Sequence, residues 1–243
     1  MTPQYRQQAG SEIVYDAALA PDAGSELFEL AHWQSLGAVS HTADGRAQVH
    51  FIDSGRGRWV LRHYRRGGLI ARIVHDRYVW TGLARTRAWR EWHLLAELHA
   101  RSYPVPAPVA ARVQREGLFY RADLLTALVE DAEPLADALA RAPLPVSAWT
   151  LLGRTIAQFH AAGIHHSDLN ARNILWRARE ARFFLLDFDG AQRNATPAKR
   201  ASGIARLRRS LDKFARKAAE ASTGFHFGDA DWQALLAGYA ADA

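Results

Sequence analysis

Gly163-Ile164-His165-His166-Ser167-Asp168-Leu169-Asn170-Ala171-Arg172-Asn173-Ile174-Leu175 is the stretch on which the fold turns. A helical pattern ends at its glycine, and a loop rich in His, Asp, Asn and Arg then runs into an apolar strand. Downstream comes Phe183-Phe184-Leu185-Leu186-Asp187-Phe188-Asp189-Gly190, a continuous apolar strand that ends abruptly in two acids. Each stretch puts oxygen-bearing side chains at a strand boundary.

That arrangement suits phosphoryl transfer, which needs an aligned hydroxyl and cations on the phosphates rather than covalent help from protein. The spacing His166-x-Asp168-x-x-x-x-Asn173 matches the kinase catalytic loop, and Asp187-Phe188-Asp189 stands where kinases carry Asp-Phe-Gly. Asp168 is the candidate catalytic carboxylate, placed to orient an acceptor hydroxyl and take its proton. Asn173 and Asp187 are candidate ligands for Mg2+ on ATP, because magnesium prefers oxygen donors and keeps few protein contacts. The bland alternative is a loop whose Asp and Asn only cap turns. His166 reads as structural rather than chemical.

Working outward, the first half should hold the nucleotide. Residues 47–52 and 59–64 read as a hairpin around Asp53-Ser54-Gly55-Arg56-Gly57. Arg62 stands where kinases place a phosphate-contacting lysine, and its guanidinium keeps the cation and adds bidentate geometry; an exposed strand cation is the alternative. Thr86 to Arg101 reads as a helix, and Glu91 on it is either the ion-pair partner of Arg62 or part of a solvated face. Gly45, in Asp44-Gly45-Arg46, is the one candidate for a phosphate-cradling turn. Two more strands are expected at 109–113 and 119–129, and helices at 135–141 and 147–162. The first forty residues show no clear period. The fold class expected is α+β: a protein-kinase-like, two-lobed fold with an N-terminal antiparallel sheet and one helix, then a mostly helical C-terminal lobe. The lobes are placed at residues 1–130 and 131–243, as one functional domain.

Composition narrows the setting. The 243 residues contain no cysteine, which rules out disulfides and thiolate metal sites and fits a reducing compartment. The polar N-terminus argues against secretion, and no apolar run reaches membrane-spanning length. The net charge of +6 comes mostly from arginine, which favours phosphate and carboxylate partners. One basic run is Arg62, Arg65, Arg66, Arg72 and Arg77. Another is Lys199, Arg200, Arg206, Arg208, Arg209, Lys213, Arg216 and Lys217, with Ile204, Leu207, Leu211 and Phe214 at helical spacing. Such a helix either lies on an anionic membrane or packs on the core with a solvated basic face. No aromatic-stacking motif or recognition helix accompanies the basic runs, so nucleic acid is not an expected partner. The sequence names no oligomeric partner.

Leu61-Arg62-His63-Tyr64-Arg65-Arg66-Gly67-Gly68, Asp76-Arg77-Tyr78, Thr86-Arg87, Glu91, Pro104-Val105-Pro106, Tyr120-Arg121-Ala122-Asp123-Leu124, the 168–175 loop and Asp187-Phe188-Asp189 resemble the 3-deoxy-D-manno-octulosonic acid (Kdo) kinase family of lipopolysaccharide kinases. The resemblance covers nearly the whole chain. It implies ATP-dependent phosphorylation of the 4-hydroxyl of a Kdo sugar on a lipid A precursor. It further implies work as a peripheral protein at the cytoplasmic face of the inner membrane, in lipopolysaccharide core synthesis. The family's catalytic aspartate falls on Asp168. Arg62 in place of lysine and Asp189 in place of glycine depart from protein kinases and argue against protein substrates. Heptose kinases, aminoglycoside- or choline-type phosphotransferases and an inactive membrane-surface scaffold are the alternatives. Asn170 and Arg172, beside the carboxylate, are candidates to touch the sugar.

Overall fold

The structure, a computed structural model, describes residues 2–43, 49–65, 76–194 and 196–241. Gly45, expected to cradle phosphate, lies outside the described residues, as do Arg66 and Arg72. The chain is α+β and divides into two compact units, Met1–Ser102 with Pro106–Val129, and Tyr103–Val105 with Glu130–Ala243.

Among the described residues, the first unit is an antiparallel sheet with two α-helices. Its strands are β1 (Pro3–Gln8), β2 (Ser11–Asp16), β3 (Val39–Ala43), β4 (Val49–Asp53), β5 (Arg58–His63), β6 (Tyr78–Val79), β7 (Pro108–Glu116) and β8 (Phe119–Ala127), and its helices are α1 (Leu30–Ser35) and α2 (Arg87–Ala100). The order across the sheet is β1-β2-β7-β8-β5-β4-β3, with β6 paired to β8. The β4–β5 turn closes as Ser54 N–H donates to the Gly57 carbonyl at 3.1 Å, with Gly55 at φ +72°. That dihedral suits glycine, which lacks the Cβ that makes left-handed backbone costly. On β5, Trp59 and Leu61 turn inward and join Ile13, Phe28, Trp33, Ile52 and Leu125 in one apolar cluster. Arg112 on β7 and Asp123 on β8, both nearly buried, pair at 2.9 Å, so neither charge is left without compensation.

The N-terminal hairpin β1–β2 and helix α1 were not expected from the sequence. The reason is physical: β1 is exposed or only half-buried along its whole length, and β2 is buried at almost every position. Neither therefore shows the in-out alternation that marks a half-buried strand.

The second unit contains β9 (Glu133–Pro134), α3 (Leu135–Arg141), α4 (Val146–Ala161), β10 (Ile174–Arg177), β11 (Arg182–Leu185), α5 (Pro197–Glu220) and α6 (Asp229–Ala241). The strands form a small antiparallel sheet in the order β11-β10-β9. α4 and α6 approach so closely that a Cβ on Gly153 would sit 2.0 Å from the Leu235 carbonyl oxygen, and one on Gly238 2.0 Å from that of Thr150. The two glycines permit the contact. Thr196 caps α5 by accepting from Lys199 N–H at 3.3 Å, and Pro197 occupies the first turn, where its missing N–H costs nothing. Gly203, Ile204, Leu207 and Leu211 of α5 are buried, so its apolar stripe faces protein and its outer face carries the cations.

Candidate active site

Antiparallel pairing of β10 with β11 sets Ile174 opposite Leu185, and Leu186 N–H donates to the Asn173 carbonyl at 2.8 Å. The ladder thus brings Asn173, at the entry to β10, and Asp187, just past β11, to the same end of the hairpin. Asn173 Nδ2 donates to the Asp168 carbonyl at 2.9 Å and reaches its Oδ2 at 3.4 Å. The three residues singled out from the sequence are therefore brought to one hairpin end, although Asp187 comes from a separate stretch.

The loop that carries Asp168 is fastened on both sides. His166 is buried; its Nε2–H donates to the Leu186 carbonyl at 2.7 Å and its Nδ1 accepts from Asp168 N–H at 3.2 Å. Only a neutral imidazole donates at one nitrogen while accepting at the other. Burial, the largest influence, lowers its pKa and favours that neutral form. His166 is thus a clip between the loop that carries Asp168 and the segment that leads from β11 to Asp187. Ser167 Oγ adds a second clip to the Asp189 carbonyl at 3.0 Å. Gly190 is held at φ +75°, and a Cβ there would lie 3.2 Å from Ser167 Oγ. Phe188 is buried against the rings of His166 and Phe159, at centroid distances of 4.9 and 5.7 Å.

Asp187 itself sits at φ +61°, a left-handed conformation that Asp tolerates better than most residues and that is common where a side chain is aimed for function. Its carboxylate and the carboxamide oxygen of Asn173 form an all-oxygen donor pair. Among the described residues no group of three or more His, Cys, Asp and Glu side chains could hold a metal. Magnesium needs no such cage, since it binds through one or two carboxylates plus water and substrate phosphates, so the pair fits it.

Asn170, a candidate sugar contact, is used otherwise. Its Nδ2 donates to the Asp168 carbonyl at 2.9 Å, and its Oδ1 accepts from the N–H groups of Arg172 and Asn173 at 2.9 and 3.2 Å. It folds the loop as an Asx turn. The Arg172 guanidinium lies over the Phe214 ring of α5 at 5.3 Å.

Sequence reading missed the partner of Asp168. Arg206 of α5 donates from Nε to Asp168 Oδ1 at 2.8 Å, and its Nη2 lies 2.5 Å from the same oxygen as an ion pair. The residue was visible only as one member of a basic run, because the pairing is made by tertiary packing between α5 and the loop.

In the first unit, Arg62 and Glu91 are brought together. Arg62 Nη2 lies 2.5 Å from Glu91 Oε2, with the Glu91 side chain only 2% exposed. Tyr64, just past the end of β5 and two residues beyond Arg62, also donates to Glu91 Oε2 and accepts from Arg62 Nη2 at 3.1 Å. Its ring lies under the guanidinium at 4.8 Å. Tyr64 was not anticipated, although residues two apart on a strand share a face. Glu91 lies on the buried side of α2 beside Trp92, Leu94 and Leu95, which decides between the ion pair and a solvated face.

A family model described as "Lipopolysaccharide kinase (Kdo/WaaP) family" matches residues 31–239. A protein of Photobacterium profundum named 3-deoxy-D-manno-octulosonic acid kinase is 39% identical over 227 residues, covering 93% of this chain and 94% of the relative. One of the same name from Vibrio vulnificus is 37% identical, covering 96% and 97%. A third, from Stenotrophomonas maltophilia, is 42% identical, covering 88% and 85%.

Proposed function

The chain belongs to the lipopolysaccharide kinase (Kdo/WaaP) family, and from that premise we propose that it transfers the γ-phosphoryl group of ATP to the 4-hydroxyl of a Kdo sugar on a lipid A precursor. Membership in a kinase family implies ATP use, and the names of its relatives support Kdo as the acceptor. The observation that carries the reading is the convergence of Asp168, Asn173 and Asp187 on one hydrogen-bonded hairpin end.

Asp168 orients the acceptor hydroxyl and receives its proton as the phosphoryl group leaves ATP. His166, Ser167 and Asn173 fix the loop, so the carboxylate does not search for its geometry during the reaction. Asn173 and Asp187 would hold magnesium, which supplies charge neutralisation on the triphosphate when bound. Arg62 contacts nucleotide phosphate, and Glu91 with Tyr64 keeps its guanidinium aimed. The basic outer face of α5, with Arg209, Lys213, Arg216 and Lys217 exposed, would draw the enzyme to an anionic membrane surface. This is an electrostatic association at the inner-membrane face, because the apolar stripe of α5 is buried and no helix among the described residues is long and apolar enough to cross a bilayer.

An acceptor panel tests the reading. ADP release with ATP and magnesium should appear with Kdo-lipid A precursor and be absent with aminoglycosides and with a heptosylated acceptor that lacks a free Kdo 4-hydroxyl. Turnover on either of these with none on the Kdo acceptor would move the chain to another substrate class. In calorimetry, Asp187→Asn should weaken magnesium-dependent ATP binding; unchanged magnesium dependence would remove Asp187 from that role.

A further inference from the structure

The Arg206–Asp168 pair is an uneconomical way to stabilise a fold. Both side chains are about half exposed, at 50% and 43%, so water screens the attraction and little stability results. Nε donates to Oδ1 and Nη2 lies against the same oxygen, instead of the two spanning both carboxylate oxygens as a fork. Oδ2 has Asn173 Nδ2 at 3.4 Å. Asp168 thus holds Oδ1 against an arginine, and that arginine has further N–H donors beyond the pair.

Its position is nonetheless built. Arg206, Ser210 and Phe214 recur at one helical spacing along α5. They meet the catalytic loop in succession, at Asp168, at Ala171 N–H (3.2 Å to Ser210 Oγ) and at the Arg172 guanidinium. One turn earlier, Gly203 lies against the loop, where a Cβ would be 3.4 Å from His165 Cε1. Buried Leu207 and Leu211 hold the helix in this register. A cation is therefore fixed within hydrogen-bond range of the carboxylate that meets the acceptor hydroxyl.

The acceptor in the names of the relatives is an acid, so its carboxylate travels on the same sugar as the hydroxyls. We propose that Arg206 is the binding site for that carboxylate and sets the enzyme's specificity for an acidic sugar. This rests on the assignment of Asp168 and of Kdo as acceptor. Without acceptor, the guanidinium rests on Asp168 Oδ1. As the sugar enters, its carboxylate takes the guanidinium, and Oδ1 is released to accept the hydroxyl. Arg206 thereby couples selection of the acid to exposure of the carboxylate that works on it.

The test crosses two enzymes with two acceptors: wild type and Arg206→Gln, each with Kdo-lipid A precursor and with the same molecule whose Kdo carboxylate is a primary amide. Charge-assisted pairs of this kind give differences of roughly tenfold to 100-fold. Wild type should prefer the acid by that factor, mainly through KM. Arg206→Gln should lose that factor on the acid and change little on the amide, so that the preference vanishes; Arg206→Lys should restore part of it. Equal losses on both acceptors would make Arg206 a phosphate-contacting or positioning residue and overturn the proposal, as would an unchanged preference. The fold of each variant is checked by its thermal midpoint. If wild type phosphorylates neither acceptor, it is the assignment of Kdo that fails, a result distinct from a lost or kept preference.

Discussion

Glu91 shows how one side chain joins local pattern to chemistry. Helical spacing puts it on the inner face of α2, where a bare carboxylate would be costly, and the strand residue Arg62 compensates it together with Tyr64. Removing one partner leaves a desolvated charge, and breaking such a buried pair costs about 3–5 kcal/mol. Glu91→Ala should therefore lower the thermal midpoint clearly and raise KM for ATP. Arg62→Met should cost far less on the Glu91→Ala background than alone, as residues in one network are non-additive. Additive costs would show that the two act separately. At this scale the candidate site residues could be singled out because their information is local. Asp168, Asn173 and Asp187 stand at motif spacing beside strand ends. Arg206 and Tyr64 were not singled out because their partners are distant in sequence, and only the packed α5 and α2 supply them.

At the level of elements, the helices α2, α3 and α4 and the β4–β5 hairpin were readable from apolar spacing and turn glycines. The β1–β2 hairpin was not, since an edge strand with no buried position and a doubly buried strand both lack alternation. The packing of α4 on α6 has a titrating consequence. His160 of α4 hydrogen-bonds the Tyr239 hydroxyl of α6 at 2.8 Å. Its pKa falls from 6.5 to about 4, through burial first and then the nearby charges of Arg200 and His165. Below pH 6.5 the unfolded chain takes up a proton that the folded chain refuses until about pH 4, so stability falls as pH drops through that window. His165 and His166 shift in the same direction, through burial. Thermal midpoints measured from pH 7 downward should therefore decline. His160→Asn should flatten that decline without abolishing it; an identical slope in the variant would take His160 out of the acid response.

For the whole molecule, the net charge of +6 and the exposed cations of α5 bear on where the enzyme works. Binding to anionic phospholipid vesicles should be measurable at low salt, fall steeply as salt is raised, and be absent on neutral vesicles. Salt-independent binding would require apolar insertion instead. Replacing Arg209, Lys213, Arg216 and Lys217 together with glutamine should weaken vesicle binding while leaving turnover on a soluble, delipidated acceptor within about twofold, since each lies on the solvated face. The chemistry itself is reached most directly by mass spectrometry of Kdo-lipid A precursor incubated with ATP, magnesium and either wild type or Asp168→Asn. Wild type should add one phosphate, located on the Kdo 4-hydroxyl by fragmentation, and Asp168→Asn should slow that addition by roughly 100-fold to 10,000-fold with ATP affinity retained. An unmodified acceptor with wild type, or a variant as fast as wild type, would contradict it.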